Sequence, residues 1–258
     1  MTLGGTALIE HSEDVHTGFN LRMHGWKLQY VPINLAKGLC PDTMTAFFKQ
    51  QYRWCMGSMS LLTSDKFWKT KLKLRTRLSY FSGFLYYIHT ALNSFIAPII
   101  PLVLLMFIPE VVKLEYTIYV IPAFVFSWIL YPIWHKSIYG IEAWATRSVY
   151  GWAHLFAIFD AITRRAMSWT PTGAVKGRDY RYTVFRIAQV LFNFIPGLLW
   201  MILSVWHITK SNDPAFMFML LSGVLYLAIS SKVTFYTARQ LKLQPHENKS
   251  TVAENQTI

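Results

Sequence analysis

Residues 84–108 read FLYYIHTALNSFIAPIIPLVLLMFI, from Phe84 to Ile108, without one Asp, Glu, Lys or Arg. About 20 consecutive apolar residues carry a helix across a hydrocarbon core roughly 30 Å thick, so this stretch can span a bilayer. Three later runs are also long enough: 116–135 (Tyr116 to His135), 184–207 and 214–236. Arg186 and Pro196-Gly197 interrupt the third, and Lys232 stands near the end of the fourth. Asn93, Pro98, Pro101 and Pro196 predict kinks or cavity-lining turns. Such breaks persist in lipid only where protein or water satisfies the freed backbone groups. With 53% hydrophobic and 15% charged residues, the 258-residue chain is too apolar for an ordinary soluble domain. The expected class is a mostly α membrane protein with four transmembrane helices.

Charge orients these spans. Lys66, Lys69, Lys71, Lys73, Arg75 and Arg77 precede the first. Lys136, Arg147, Arg164, Arg165, Lys176, Arg178 and Arg181 lie between the second and third, and Arg239 and Lys242 follow the fourth. Loop 109–115 has only Lys113 beside Glu110 and Glu115, and loop 208–213 only Lys210 beside Asp213. The positive-inside rule therefore puts 1–80, 136–183 and the C-terminus in the cytoplasm. The net charge of +12 follows the flanks of the apolar runs, which fits anionic lipid headgroups and sets nucleic acid aside as a partner. Cys40 and Cys55 suit neither a disulfide framework nor a zinc site. No signal peptide is expected at the start, where a basic, apolar, small-residue pattern is missing.

Segment 64–80 alternates basic residues with Phe67, Trp68, Leu72, Leu74 and Leu78, the pattern of an interfacial helix. Segment 140–168 repeats that character, with Trp144, Trp152, Phe156 and Phe159 opposed to Arg164 and Arg165. The polar tail 241–258 is expected to be disordered.

Residues 1–80 are too few, and their elements too sparse, for an independent enzyme core. Ser12 is placed to cap a helix with Glu13 and Asp14 in its first turn and Gly25 at its end. Trp26 to Val31 alternates like a strand, and Pro41-Asp42-Thr43 starts a second helix. Helix, strand and helix without companion strands read as a fragment of an α/β domain. On the second helix lie Gln50, Arg53 and Trp54, spaced i, i+3, i+4 and so projecting from one face. An amide, a guanidinium fork and a flat ring together can grip a polar, anionic or sugar-like ligand.

Ser12-Glu13-Asp14 followed by Gln50-x-x-Arg53-Trp54 and then by interfacial and spanning helices resembles the C-terminal part of processive family-2 glycosyltransferases. These are synthases of the cellulose, hyaluronan and poly-N-acetylglucosamine kind. In that family a Thr-Glu-Asp precedes Gln-x-x-Arg-Trp by 35–40 residues or so, a spacing this sequence keeps. The resemblance implies a hexosyltransferase-type activity with a nucleotide-sugar donor and a polysaccharide acceptor. It makes residues 1–63 the end of a GT-A-like catalytic domain and 81–240 the membrane domain, in the plasma (inner) membrane. It also assigns roles. Asp14 is the general base toward the acceptor hydroxyl, Trp54 stacks on the acceptor sugar, and Gln50 and Arg53 hold acceptor and donor diphosphate. Trp169, Thr170, Thr172 and Lys176 stand where the family has a gating loop within 140–183. Here the sequence departs from the family's pattern: Thr-Pro replaces Val-Thr, and two residues are inserted before the Lys.

The family's donor-binding strands and Asp-x-Asp motif would lie upstream of residue 1, and the sequence has no Asp-x-Asp. Mg2+ or Mn2+ is expected for the complete enzyme, with ligands outside this chain. Residues 1–258 alone are accordingly expected not to transfer sugar and to need an N-terminal half, one that could be separately encoded. Two other classes compete: a non-processive transferase acting on a lipid acceptor, and a small transporter or scaffold. The latter predicts internal repeats and mid-span charges, which the sequence lacks.

Overall fold

The computed structural model describes residues 6–7, 12–33, 38, 40–41, 43–136, 140–165 and 180–254, with side chains as far as Thr237. Among them every regular element is helical. The strand expected over Trp26–Val31 does not form; residues 26–33 are irregular and exposed. A lone strand has nothing to exchange its hydrogen bonds with, and the described residues provide no partner. The chain divides into two units, 1–93 with 150–182, and 94–149 with 183–258.

In the first unit, α1 (Glu13–Met23) follows Ser12 and leaves through His24 and Gly25, whose φ of 84° suits glycine. Helix α2 (Met44–Leu62) begins where the Thr43 hydroxyl accepts from the Ala46 N–H at 3.2 Å. Segment 64–80 is not one helix. A short α3 (Asp65–Lys69) is closed by Ser64 at its start and by the Thr70 hydroxyl, which donates to the Lys66 carbonyl at 2.6 Å. Then α4 (Leu74–Ile96) starts afresh. Phe67 is fully buried, its ring 5.8 Å from Phe19, 5.9 Å from Tyr80 and 5.4 Å from Phe84. These aromatics hold α1, α3 and α4 together, which is why α3 cannot simply continue into α4 along a surface.

In the second unit the polypeptide runs through α5 (Ile99–Phe107), α6 (Thr117–Val125) and α7 (Tyr131–Trp134). Helix α8 (Ile141–Ile162) is shared, with residues from Tyr150 counted in the first unit. Next come α9 (Tyr180–Gln189), α10 (Ile195–Ser211) and α11 (Ala215–Glu254). The expected break at Pro98 separates α4 from α5. Wide π-turns at Phe126–Leu130 and Val190–Phe194 lie one turn before Pro132 and Pro196. A proline ring clashes with the carbonyl four residues back, here Trp128 and Phe192, and a π-turn widens the helix at that carbonyl. Helices α10 and α11 cross closely because Gly197 faces Tyr226 and Gly223 faces Trp200.

Leu74–Phe107, Leu114–Trp134, Tyr180–Ser211 and Ala215–Thr237 are long and apolar enough to cross a membrane. They overlap all four runs read from the sequence. The tail read as disordered instead continues α11 as far as Glu254.

Candidate acceptor-side site

Helix α2 has two opposed faces. Phe48, Tyr52, Cys55 and Met59 recur at helical spacing and are 0–4% exposed. Gln50, Arg53 and Trp54 lie on the other side, at about 100° per residue; Gln50 and Arg53 are half-buried, and Trp54 is exposed. Burial lowers the Arg53 guanidinium from its ordinary value, yet it stays a cation.

The start of α1 is seated on that second face. Ser12 Oγ donates to the Arg53 carbonyl at 3.4 Å, and Gly57 lies directly against Ser12. Ser12 holds the expected N-cap position without capping: its φ of 52° is left-handed, and its hydroxyl is turned to α2. Such a conformation is costly for a non-glycine residue, so the α1–α2 contact must hold it in place. One turn on, His16 Nε2 meets Ser60 Oγ at 2.9 Å, and burial lowers the imidazole's pKa. Ser60 Oγ in turn donates to the Gly57 carbonyl at 2.8 Å.

Asp14 is exposed, and its Oδ1 accepts from the Val15 N–H at 2.8 Å. It lines a cleft of about 570 Å³ with Gly18, Arg22, Arg75, Ser79 and Tyr80 among the other walls. Gln50, Arg53 and Trp54 do not line this cleft. The fold thus brings the start of α1 to the backbone of Arg53, while the Asp14 carboxylate opens toward α4. Arg22, Arg75, Ser79 and Tyr80 were not foreseen as site residues; only the basic run before the first span hinted at Arg75.

The buried face of α2 is built on α8 and the start of α9. Phe48 makes edge contacts with Phe156 at 6.0 Å and Tyr182 at 5.9 Å. The Tyr52 hydroxyl donates to Asp160 Oδ2 at 2.7 Å, and Arg181 Nε donates to the same oxygen at 2.7 Å. The Arg181 guanidinium also lies 5.6 Å from the centre of the Tyr52 ring. The Cys55 thiol points to the His154 carbonyl at 3.7 Å, and burial pushes its pKa up, which leaves it an inert core group. His154 is fully buried, with Nδ1 2.7 Å from Thr90 Oγ1 and Nε2 unpartnered. Burial pushes its pKa down to about 3.

Trp169, Thr170, Thr172 and Lys176 lie outside the described residues. Among the described residues no three His, Cys, Asp or Glu side chains converge as a metal site. The described residues thus offer no ligand set for the Mg2+ or Mn2+ that the resemblance implies, whose ligands it puts outside this chain.

A profile of the family described as glycosyl transferase family group 2 matches residues 5–135. That range begins before α1, takes in α2 and ends after the second candidate span. The cellulose synthase catalytic subunit of Komagataeibacter sucrofermentans is 32% identical over 83 residues, 32% of this chain and 11% of that protein. The cellulose synthase catalytic subunit of Xanthomonas axonopodis is 28% identical over 88 residues, 34% of this chain and 12% of that protein. The poly-beta-1,6-N-acetyl-D-glucosamine synthase of Staphylococcus aureus is 31% identical over 62 residues, 24% of this chain and 15% of that protein. The chain therefore covers only a small part of the length of these relatives. No solved structure matches it at a significant level.

Proposed function

The chain belongs to glycosyl transferase family group 2, and from that premise we propose that it forms the acceptor side of a membrane-embedded polysaccharide synthase. The observation that carries this reading is the seating of Ser12 on Arg53 and Gly57. It supports an acidic helix start docked on the helix that carries Gln50, Arg53 and Trp54, some 40 residues away, with the Asp14 carboxylate opening into its own cleft toward α4. Asp14 takes the proton of an acceptor hydroxyl as that oxygen bonds to the donor's anomeric carbon. The bond from that carbon to the diphosphate breaks, and the nucleoside diphosphate leaves with the electron pair. Trp54, with its exposed ring, stacks on the acceptor sugar. Arg53 supplies charge-assisted hydrogen bonds to the diphosphate, and Gln50 supplies an amide beside it.

In this reading the nucleotide-sugar donor and its divalent cation are held by a donor-binding segment with which residues 1–258 act. The spanning helices form the exit path of the polymer in the inner membrane, with both termini cytoplasmic. A second reading, transfer to a lipid acceptor, is favoured by Arg22 and Arg75 in the Asp14 cleft, since two guanidinium groups suit an anionic headgroup.

The test replaces Asp14 by Asn and Trp54 by Ala in the protein in its own membrane. Loss of sugar transfer by about 10²-fold or more, at wild-type membrane insertion, is the expected result. Unchanged transfer in both variants sinks the proposal. Labelled sugar in an insoluble polymer supports the first reading, and label in a chloroform-soluble lipid supports the second.

A further inference from the structure

Apolar packing alone leaves a helix free to roll by small angles, because neighbouring side chains re-interdigitate at little cost. Helix α2 carries its sugar-facing residues on one side and its core stripe on the other, so a roll would spoil the aim of the first without exposing the second. A directional contact on the buried side runs through Tyr52. Tyr52 sits in the middle of the Gln50–Trp54 motif but points away from Gln50, Arg53 and Trp54, into the core. There its hydroxyl meets Asp160 Oδ2, which Arg181 Nε also holds, both at 2.7 Å. The Asp160 and Arg181 side chains are 6% and 10% exposed. These bonds join three separate elements, α2, α8 and α9.

We propose that Tyr52, Asp160 and Arg181 are positioning residues that lock the rotation of α2 and thereby aim Gln50, Arg53 and Trp54 at the acceptor. The inference rests on reading that face as the acceptor clamp. The geometry makes the lock sensitive. Side-chain ends lie about 5–6 Å from a helix axis, so a roll of about 10° displaces them by about 1 Å. A misplacement of about 1 Å in a group that positions substrate costs up to about 10²-fold in rate. A hydrogen bond to a buried carboxylate has a narrow range of direction and length, so it resists such a roll where ring packing does not. Arg181 fixes the carboxylate in turn, by its Nε bond and by lying over the Tyr52 ring. The buried charge pair is thus set to specify one orientation, a role distinct from raw stability.

The test uses Tyr52→Phe, which removes one hydroxyl, and Asp160→Asn, which keeps the shape and removes the charge. Two quantities are read on folded protein in its own membrane: sugar transfer per folded molecule, and hydroxyl-radical oxidation of Trp54 relative to Trp68. The two tryptophans are 49% and 52% exposed but sit on different helices, so Trp68 is an internal standard. The expected result is a tenfold or greater loss of turnover in Tyr52→Phe, with the Trp54 to Trp68 oxidation ratio changed at least twofold. In a Trp54→Ala background Tyr52→Phe should add less further loss than it causes alone, because part of its effect runs through that ring. A wild-type oxidation ratio in both variants overturns the proposal, as does an additive loss in the Trp54→Ala background. Should Asp160→Asn fail to fold, Tyr52→Phe decides alone. If Asp14→Asn leaves transfer intact, the acceptor reading fails, while the oxidation ratio still reports whether the lock exists.

Discussion

A Cβ placed on Gly57 would lie 2.0 Å from both Cβ and Oγ of Ser12 and 3.3 Å from its Cα. The absence of a side chain at position 57 is therefore what lets the start of α1 approach α2. Replacing Gly57 by Ala is expected to push the two helices apart, lower stability by about 1–3 kcal/mol and reduce transfer at least tenfold. Adding Ser12→Gly removes the opposing side chain and suits the left-handed backbone there. The double variant should regain most of the loss, measured as a double-mutant cycle on thermal midpoint and turnover. Simple addition of the two losses would contradict the contact.

Stability should depend on pH through His154. Its pKa is pushed down to about 3 by burial in the folded protein, whereas an unfolded imidazole titrates near 6.5. Between those values the unfolded chain binds a proton that the folded chain does not. The His154 contribution is therefore intact above about pH 6.5 and is lost as pH falls toward 3, with a slope of at most about 1.4 kcal/mol per pH unit. Denaturation midpoints of wild type and His154→Gln in detergent, taken from pH 8 to about 4, should converge toward acid. Parallel curves would show that His154 does not titrate this way.

The charge map predicts a membrane topology that labelling can test. With Cys40 replaced by Ser, a Cys at exposed position 113 should react with an impermeant maleimide on intact cells. A Cys at exposed position 71 should react only after permeabilisation. The reverse pattern would invert the proposed orientation.

Much of this molecule was legible in residue order, but unevenly. The four apolar runs, the breaks at Pro98 and Pro196, the helix start at Pro41-Asp42-Thr43 and the Gly25 exit could all be read because each is a local effect of residue type. The strand over Trp26–Val31 could not be judged, since pairing depends on residues elsewhere. Segment 64–80 reads as one helix but forms two, because amphipathic spacing does not show that Thr70 closes the first and the second starts afresh at Leu74. The motif face of α2 was visible as i, i+3, i+4 spacing, whereas its anchor was not. Asp160 and Arg181 lie 108 and 129 positions beyond Tyr52, and nothing in local pattern ties them together. Arg75 joins the Asp14 cleft only because α4 packs near α1.

The two π-turns ahead of Pro132 and Pro196 have a consequence for what the lipid meets. Each admits one residue beyond the regular helical count, so side chains past it are turned by about 100° relative to an unbroken helix. In a bilayer, a stripe of residues that faced the acyl chains before each π-turn would change sides after it. An amphipathic phase fitted to either span as a whole is then an average of two different ones. The half of each span after the π-turn is free to present a surface to its protein neighbours that the half before it gives to lipid.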